Sequence, residues 1–169
     1  FVKSEWGRHQ AQLQVMVIAV ADLTRRLIPG MIERGYGRVV NVASLAGLMP
    51  APGGHTLYAA SKAFVIKFSE SLADEVRPHG VHVTAVCPGF TYSEFHDVTG
   101  TRARVNLLPT FLWLDAATVA RQGFEAVMAG RSIEITGRVN RTIEALGRYL
   151  PRPALNYLAR RTAKGHRQV

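Results

Sequence analysis

The sequence contains a single cysteine, which excludes an intrachain disulfide bond. That residue, Cys87, ends an apolar run, and we expect it to be a small buried side chain in a reducing, cytoplasmic compartment. Long apolar runs are also missing, since no stretch of about 18 uncharged apolar residues occurs, so no membrane-spanning helix is predicted. Acidic residues are scarce: 12 Asp and Glu stand against 21 Lys and Arg, which leaves a net charge of +9.

The excess positive charge is concentrated at the end of the chain. Residues 138–169 hold seven Arg, one Lys and one Glu, a net charge of +7. We therefore divide the chain into a domain, residues 1–137, and a basic, partly helical tail, residues 138–169. Leu and Tyr alternate with Arg in this tail, which leaves open a weak contact with an anionic membrane surface or packing over the domain or a neighbouring subunit. Nucleic-acid binding is not predicted.

The 169 residues, 47% of them apolar, suffice for one globular domain with a core. Apolar periodicity and Gly/Pro punctuation divide the domain into alternating helices and strands. We predict helices over residues 9–34, 57–77 and 115–129, strands over 38–43, 81–86 and 132–136, and loops over 45–56 and 91–109. This alternation predicts a doubly wound α/β fold, a parallel sheet with helices on both faces.

Three polar residues are predicted to meet beyond the carboxyl end of the first strand, where open parallel sheets bind their ligands. Ser44 follows that strand, and Tyr58 and Lys62 share one face at the start of the next helix. Free tyrosine has a pKa of about 10, and an ammonium one turn away should lower it. Such a phenol can exchange a proton with an alcohol or carbonyl oxygen that Ser44 also contacts. The chemistry would need a hydride carrier, such as a nicotinamide, alongside.

Three motifs carry a resemblance to a known family: N-V-A-S-L-A-G (41–47), Y-A-A-S-K-A-F (58–64) and V-T-A-V-C-P-G-F-T-Y-S-E-F (83–95). In order and spacing they resemble the second half of the classical short-chain dehydrogenases/reductases, over roughly residues 10–137. The resemblance implies a Rossmann-like fold, a homodimer or homotetramer, and an oxidoreductase that uses NADP or NAD. It also implies that Ser44 positions the carbonyl, Tyr58 is the general acid/base, and Lys62 binds the nicotinamide ribose. The cofactor contacts that it implies are Asn41, Tyr58, Lys62, Pro88, Gly89, Phe90, Thr91 and Ser93.

Two parts of the family pattern are not found in the sequence. No glycine-rich G-x-x-x-G-x-G phosphate loop occurs and the first residue is Phe1, so we expect the C-terminal part of a longer protein. The choice between NAD and NADP depends on residues outside the matching region. Met16 stands where the family usually has an asparagine that supports a water-mediated proton relay to the lysine. Because a thioether cannot donate a hydrogen bond, the relay would be rerouted or weakened.

Two other functions remain open. One is a hydrolase with Ser44 as nucleophile and Lys62 as base, but it leaves Tyr58 unexplained and no G-x-S-x-G elbow is present. The other is a catalytically silent paralogue that binds a dinucleotide or a partner as a sensor or scaffold. The histidines show no metal-ligand spacing, so no metal is predicted. The substrate is expected to be a small apolar carbonyl or alcohol, because apolar side chains recur in the segment after Ser93: Phe95, Val98, Leu107, Phe111 and Trp113.

Overall fold

The computed structural model of the protein describes residues 1–2, 4–51, 56–94 and 109–151. Its strands are β1 (Gly37–Val42), β2 (Val81–Cys87), β3 (Phe90–Tyr92), β4 (Trp113–Asp115) and β5 (Ile133–Ile135). Its α-helices are α1 (Trp6–Leu13), α2 (Ala19–Glu33), α3 (Thr56–Val76), α4 (Ala116–Met128) and α5 (Arg138–Tyr149). A π-helical segment, Gln14–Ile18, joins α1 to α2, and short 3-10 turns lie at Leu45–Gly47, Arg77–His79 and Thr110–Leu112. The predicted alternation of helices and strands is confirmed.

A parallel sheet in the order β1-β2-β5 forms the centre of the fold. Val39 of β1 lies opposite Val83 of β2, and Cys87 at the end of β2 lies opposite Ile135 of β5. The central strand β2 is buried along almost its whole length, as expected for a β-branched strand covered on both faces. All three carboxyl ends therefore lie at one edge of the sheet.

Helices cover both faces of this sheet. On one face, α2 and α3 pack against β1 and β2 through one apolar cluster, and α3 contributes to a second cluster nearer the carboxyl edge. The first contains Ile28, Val39, Ala73, Val76, Val81 and Val83, and the second Ala43, Val65, Ile66, Ala85 and Cys87. On the other face α4 approaches so closely that a Cβ on Gly123 would lie 2.8 Å from Cγ2 of Val86. The three layers are those of a doubly wound α/β fold.

The long first helix is less regular than its periodicity predicts. Helix 9–34 is confirmed in position, but its turns widen to π-helical hydrogen bonding at Gln14–Ile18. In the sequence, apolar residues from Val15 to Val20 lie on more than one side of this helix, which predicts burial on two faces. Within one copy of the chain that expectation is wrong, because Val15 is 67% exposed and Ile18 is 51% exposed. The segment thus presents an apolar surface that the other described residues leave uncovered.

A second, two-stranded parallel sheet was not predicted. Strands β3 and β4 pair with Phe90 opposite Trp113, within and just after the stretch predicted as a loop. Trp113 is buried, and its ring lies 4.6 Å from that of Tyr92 and 5.5 Å from that of Phe90. Strands of three residues are too short to show a period of two, which explains the error. The predictions for Phe95, Val98, Leu107 and the tail beyond Pro151 lie outside the described residues.

The basic tail begins with a regular helix, α5, that packs on the domain. The Arg141 Nη2 atom lies 2.7 Å from Oε1 of buried Glu134, the middle residue of β5. Gln122 of α4 accepts a hydrogen bond from the Gly137 N–H at 2.9 Å, which ties the start of α5 to α4. The division at residue 137 stays a prediction, and these contacts favour placing α5 with the domain.

Helix α4 begins as the sequence predicts, with Asp115 as its N-cap. Its Oδ1 atom accepts a hydrogen bond from Thr118 N at 2.7 Å, and this bond lowers the pKa of the exposed carboxyl group. No helix in the described part of the chain is both long and apolar enough to cross a membrane.

Candidate active site

The site lies at the carboxyl edge of the sheet, where the turns that follow β1 and β2 meet. The backbone N–H of Leu45, just after Ser44, donates to the carbonyl oxygen of Pro88 at 2.9 Å. The Ala43 N–H donates to Val86 O at 2.7 Å, which continues the ladder to the end of both strands. These bonds fix Ser44 beside the Pro88–Gly89 turn, as the strand order requires.

Ser44 leaves β1 in an extended conformation and caps the 3-10 turn Leu45–Gly47. Its φ and ψ angles are −166° and 152°, and its Oγ accepts a hydrogen bond from Ala46 N at 3.2 Å. A hydroxyl can accept and donate at the same time. The Ser44 oxygen is thus oriented by the backbone, while its hydroxyl proton can be donated to another acceptor.

Tyr58 and Lys62 share one face of the first turns of α3, as their spacing predicts. The Lys62 Nζ atom lies 5.9 Å from the centroid of the Tyr58 ring, within the range of a cation–π contact. Nζ also donates to the carbonyl oxygen of Val42 at 2.8 Å, the last residue of β1. Both side chains are half-buried. The structure therefore holds the ammonium between the tyrosine ring and the strand that delivers Ser44.

Burial changes the electrostatics of Lys62. Desolvation lowers the pKa of its ammonium group, and a smaller interaction with Cys87 acts in the opposite direction. The charged form is less stable here than in water, so a new hydrogen-bond acceptor at this position would gain a strong interaction. A partly desolvated ammonium of this kind is suited to bind a polar group.

Cys87 lies under this edge and is chemically quiet. Burial, followed by the nearby carboxylates of Glu134 and Glu144, raises the pKa of its thiol to about 12. The thiol is fully buried and free of any disulfide, which confirms the prediction of a small buried side chain. A thiol so rarely ionised is a poor nucleophile.

The predicted cofactor contacts from Pro88 to Ser93 lie together, immediately after β2. Pro88, Gly89, Phe90 and Thr91 are half-buried and Ser93 is exposed. Thr91 Oγ1 donates to Gly89 O at 3.2 Å, which tightens the turn. This group forms one wall beside Ser44, although which of its atoms meet a cofactor stays a prediction.

Asn41 does not join this group. Its side chain is buried between β1 and α3, where Nδ2 donates to Ser69 Oγ at 2.9 Å. The side chains of a strand alternate between the two faces of the sheet, and the Asn41 side chain lies on the face covered by α3. The cofactor contact predicted for Asn41 stays a prediction, and its side-chain amide is engaged in the core.

Met16 and Asn140 are not among the residues that the sequence places in the site. Met16 lies in the π-helical segment, and its Sδ accepts a weak contact from Gln12 Nε2 at 3.8 Å. Asn140, which sequence reasoning missed, lies against Gly89 from the far side of the sheet edge. The only signal for Asn140 was a polar residue in a helical segment interpreted as part of the basic tail, residues 138–169. Among the described residues, no three His, Cys, Asp or Glu are grouped to hold a metal ion.

Comparison with known proteins identifies the family to which this chain belongs. The family model described as short chain dehydrogenase matches residues 3–103, more than half of the sequence. The chain belongs to this family, and the resemblance inferred from the three motifs is confirmed.

Individual relatives share only part of their length with this chain. The Ketoacyl reductase HetN of Nostoc sp. is 41% identical over 81 residues, 48% of this chain and 28% of the relative. The Very-long-chain 3-oxoacyl-CoA reductase of Rattus norvegicus is 38% identical over 78 residues, 46% of this chain and 25% of the relative. The matches thus span about a quarter of the length of these two curated relatives.

A solved structure reproduces the fold. The short-chain dehydrogenase from Sphingobium yanoikuyae in complex with NADPH has a TM-score of 0.72 and 22% sequence identity. The superposition covers 90% of this chain and 61% of that chain. It confirms the doubly wound, Rossmann-like architecture predicted from the alternation of elements.

Proposed function

We propose that the protein is an NAD(P)(H)-dependent oxidoreductase that interconverts an alcohol and a carbonyl by hydride transfer, with Tyr58 as general acid/base. One observation carries the proposal. The Lys62 ammonium is held between the Tyr58 ring and the end of β1, at the strand edge that also carries Ser44. Together, a phenol, a hydroxyl and a desolvated cation can transfer a proton to and from the oxygen of a substrate.

Each residue has a separate role in this proposal. The Ser44 hydroxyl, oriented by the Ala46 N–H, donates a hydrogen bond to the oxygen of the substrate and keeps its own proton. The Tyr58 phenol gives a proton to that oxygen during reduction and takes it back during oxidation. The Lys62 ammonium stabilises the negative charge that develops on the phenol oxygen in the transition state.

The residues of this edge suit the nicotinamide half of a dinucleotide. The Lys62 ammonium and the hydroxyl of Tyr58 are donors of the kind that ribose hydroxyls accept, and Gly89 leaves its turn free of a side chain. When bound, the nicotinamide supplies or accepts the hydride. The NADPH complex of the Sphingobium relative supports a cofactor of this class. Either NADP or NAD is compatible with these donors.

For the substrate we propose an apolar carbonyl or alcohol with an acyl chain. Two relatives are named for reducing oxoacyl groups. The buried ring of Trp113, with Tyr92 stacked on it and Phe90 tilted against it, provides an apolar wall after the Pro88–Gly89 turn. An acyl chain would bury apolar surface there at about 25 cal/mol per Å².

The experiment is a nicotinamide-dependent assay of the full-length protein on a panel of oxoacyl and alcohol substrates. We expect Tyr58→Phe to lower kcat/KM roughly a hundredfold to ten-thousandfold, the usual contribution of general acid/base catalysis. Tyr36→Phe is the matched control, because Tyr36 lies at the opposite end of β1, with its ring against Arg38. Turnover that survives loss of the Tyr58 hydroxyl would rule out the acid/base assignment.

A silent paralogue is the second candidate, and the position of Met16 favours it. The Met16 thioether cannot donate a hydrogen bond to a proton relay, and its contact is with Gln12 of the same helix. Nucleotide binding by the full-length protein without turnover on any substrate would select this sensor or scaffold function over the enzyme.

We propose in addition that the chain forms a homodimer or homotetramer and makes a weak contact with anionic membranes. The first proposal rests on the exposed apolar residues of the π-helical segment and of α3, such as Ile18 and Phe64. The second rests on α5, whose outer face exposes Leu146 beside the arginines of the tail. Both are tested by surface variants in the Discussion.

A further inference from the structure

The side-chain amide of Asn140 is packed against the turn that follows β2. Asn140 is the third residue of α5 and only 4% exposed, and its Nδ2 donates to the carbonyl oxygen of Thr136 at 2.7 Å. A Cβ placed on Gly89 would lie 2.5 Å from Asn140 Oδ1 and 2.6 Å from Nδ2. Real side chains do not approach so closely, so a side chain at position 89 would require the Asn140 amide to move.

The same turn is tied to Ser44 on its other side. Pro88 O accepts the Leu45 N–H at 2.9 Å, and Ser44 directly precedes Leu45. The Pro88–Gly89 turn is therefore held between two contacts, the Asn140 amide and the turn that carries the proposed carbonyl-binding hydroxyl. A shift of Gly89 would be transmitted to Ser44 through one peptide unit and one hydrogen bond.

The helix that carries Asn140 is itself fixed before it reaches the turn. Gln122 Oε1 accepts the Gly137 N–H at 2.9 Å, and Arg141 bridges to the buried carboxylate of Glu134. Gly137 has a φ angle of +84°, a left-handed conformation that glycine adopts without strain. The amide is thus brought to Gly89 by a pre-organised helix start.

We infer that Asn140 is a positioning residue of the proposed active site, which sets the Pro88–Gly89 turn at its working distance from Ser44. This inference rests on the proposed function and adds a residue to it. Asn140 need not touch the reacting atoms. Its effect is to reduce the freedom of the wall beside which the nicotinamide would lie, and displacements of about 1 Å in such positions can cost a hundredfold in rate.

The first test measures the contact without any cofactor. Thermal unfolding is followed for the full-length protein and for Gly89→Ala, Asn140→Ala and the double variant. We expect Gly89→Ala to lower Tm by roughly 4 to 8 °C, because its methyl group meets the amide. The double variant should recover most of that loss, because Asn140→Ala removes all three atoms that the methyl would meet. Strictly additive losses would overturn the inference. If Gly89→Ala alone does not fold, a folded double variant is the same rescue.

The second test separates positioning from stability. We expect Asn140→Ala to lower kcat at least tenfold per nucleotide-binding site, while the Kd of the dinucleotide changes by less than about threefold. Ser69→Ala is the matched control, because it removes one buried hydrogen bond, to Asn41, away from the turn. It should lower Tm and leave kcat per site unchanged. Equal kcat values for Asn140→Ala and Ser69→Ala would overturn the positioning role.

The two proposals fail in different ways. If the unsubstituted full-length protein turns over substrate and Asn140→Ala behaves like Ser69→Ala, the positioning role is wrong and the proposed function stands. If the unsubstituted protein neither binds nucleotide nor turns over substrate, the proposed function is wrong, and the role of Asn140 falls with it.

Discussion

Helices α3 and α5 flank the same sheet edge but distribute their polar residues in opposite ways. The buried side of α3 is mainly apolar, with Val65 and Ile66, and its reactive residues Tyr58 and Lys62 lie at its start. In α5 the buried residues are Asn140 and Glu144, and apolar residues such as Leu146 face outward. In the proposed active site, one helix thus offers the reactive groups, while the other supplies buried polar groups that support the turn after β2.

This difference explains what the sequence could and could not predict. Periodicity predicts a helix when its buried side is apolar, as in α3, and the spacing of Tyr58 and Lys62 then places both on one face. An inverted helix such as α5 gives a weak pattern, and its arginines led to its interpretation as part of a basic tail separate from the domain. Burial of Asn140 depends on a partner distant in sequence, Gly89, and no local pattern encodes that contact. Glu144 does pair locally, with Arg148 one turn later, but this spacing does not predict that Glu144 is buried.

The same reasoning applies to the fold and to Asn41. The alternation of helices and strands and their approximate bounds followed from apolar periodicity. Strands β3 and β4 did not, because they form only by pairing with each other around the ring of Trp113. Asn41 lies in a motif associated with the cofactor, yet its partner is Ser69, which only the packing of α3 on β1 reveals.

The largest effect should come from the reactive side of α3. We expect Lys62→Met to lower kcat/KM roughly a hundredfold to a thousandfold, because it removes preorganised positive charge beside the Tyr58 ring. Lys67→Met is the control, since Lys67 lies on the same helix and pairs with Glu70 at the surface. An activity loss of equal size in both variants would show that α3 has been disturbed as a whole.

The pH dependence of activity tests the same role of the Lys62 charge. Because burial lowers the pKa of Lys62, its ammonium form is lost at a lower pH than that of a solvated lysine. Activity that needs the cation is therefore complete below this lowered pKa and falls as the pH rises through it. Lys62→Arg should move the alkaline limit upward, because a guanidinium stays charged. An alkaline limit unchanged in Lys62→Arg would exclude Lys62 as its origin.

An intermediate effect is expected on the outer side of α3, where we propose contact with a second copy. Phe64 is 40% exposed, and the π-helical segment with Ile18 packs on the same helix. Phe64→Glu should weaken self-association at least a hundredfold, because it buries a charge in an apolar interface. Sedimentation velocity over a concentration series measures this. Phe124→Glu, on the opposite face of the sheet, should leave the oligomer intact, and equal effects would contradict the assignment.

The smallest effect is expected on the outer side of α5. Leu146 is 60% exposed, and its loss in Leu146→Ser should reduce binding to anionic vesicles roughly fivefold. Salt-dependent co-sedimentation with vesicles rich in phosphatidylserine measures the change. Met128→Ser on α4 serves as the control. No binding of the unsubstituted protein at low salt would end the membrane proposal and leave α5 with its inward role alone.

The labelling rate of the Cys87 thiol offers a measure of how often the sheet edge opens. This thiol is the only sulfhydryl of the chain, lies in the middle strand directly under Ser44 and the Pro88–Gly89 turn, and has a pKa of about 12. A thiol reagent can reach it only when the layers separate, so each labelling event counts one opening of the sheet edge. Variants that loosen α3 or α5 can therefore be ranked by their rates of labelling with one thiol reagent. This measurement needs no substrate, nucleotide or partner.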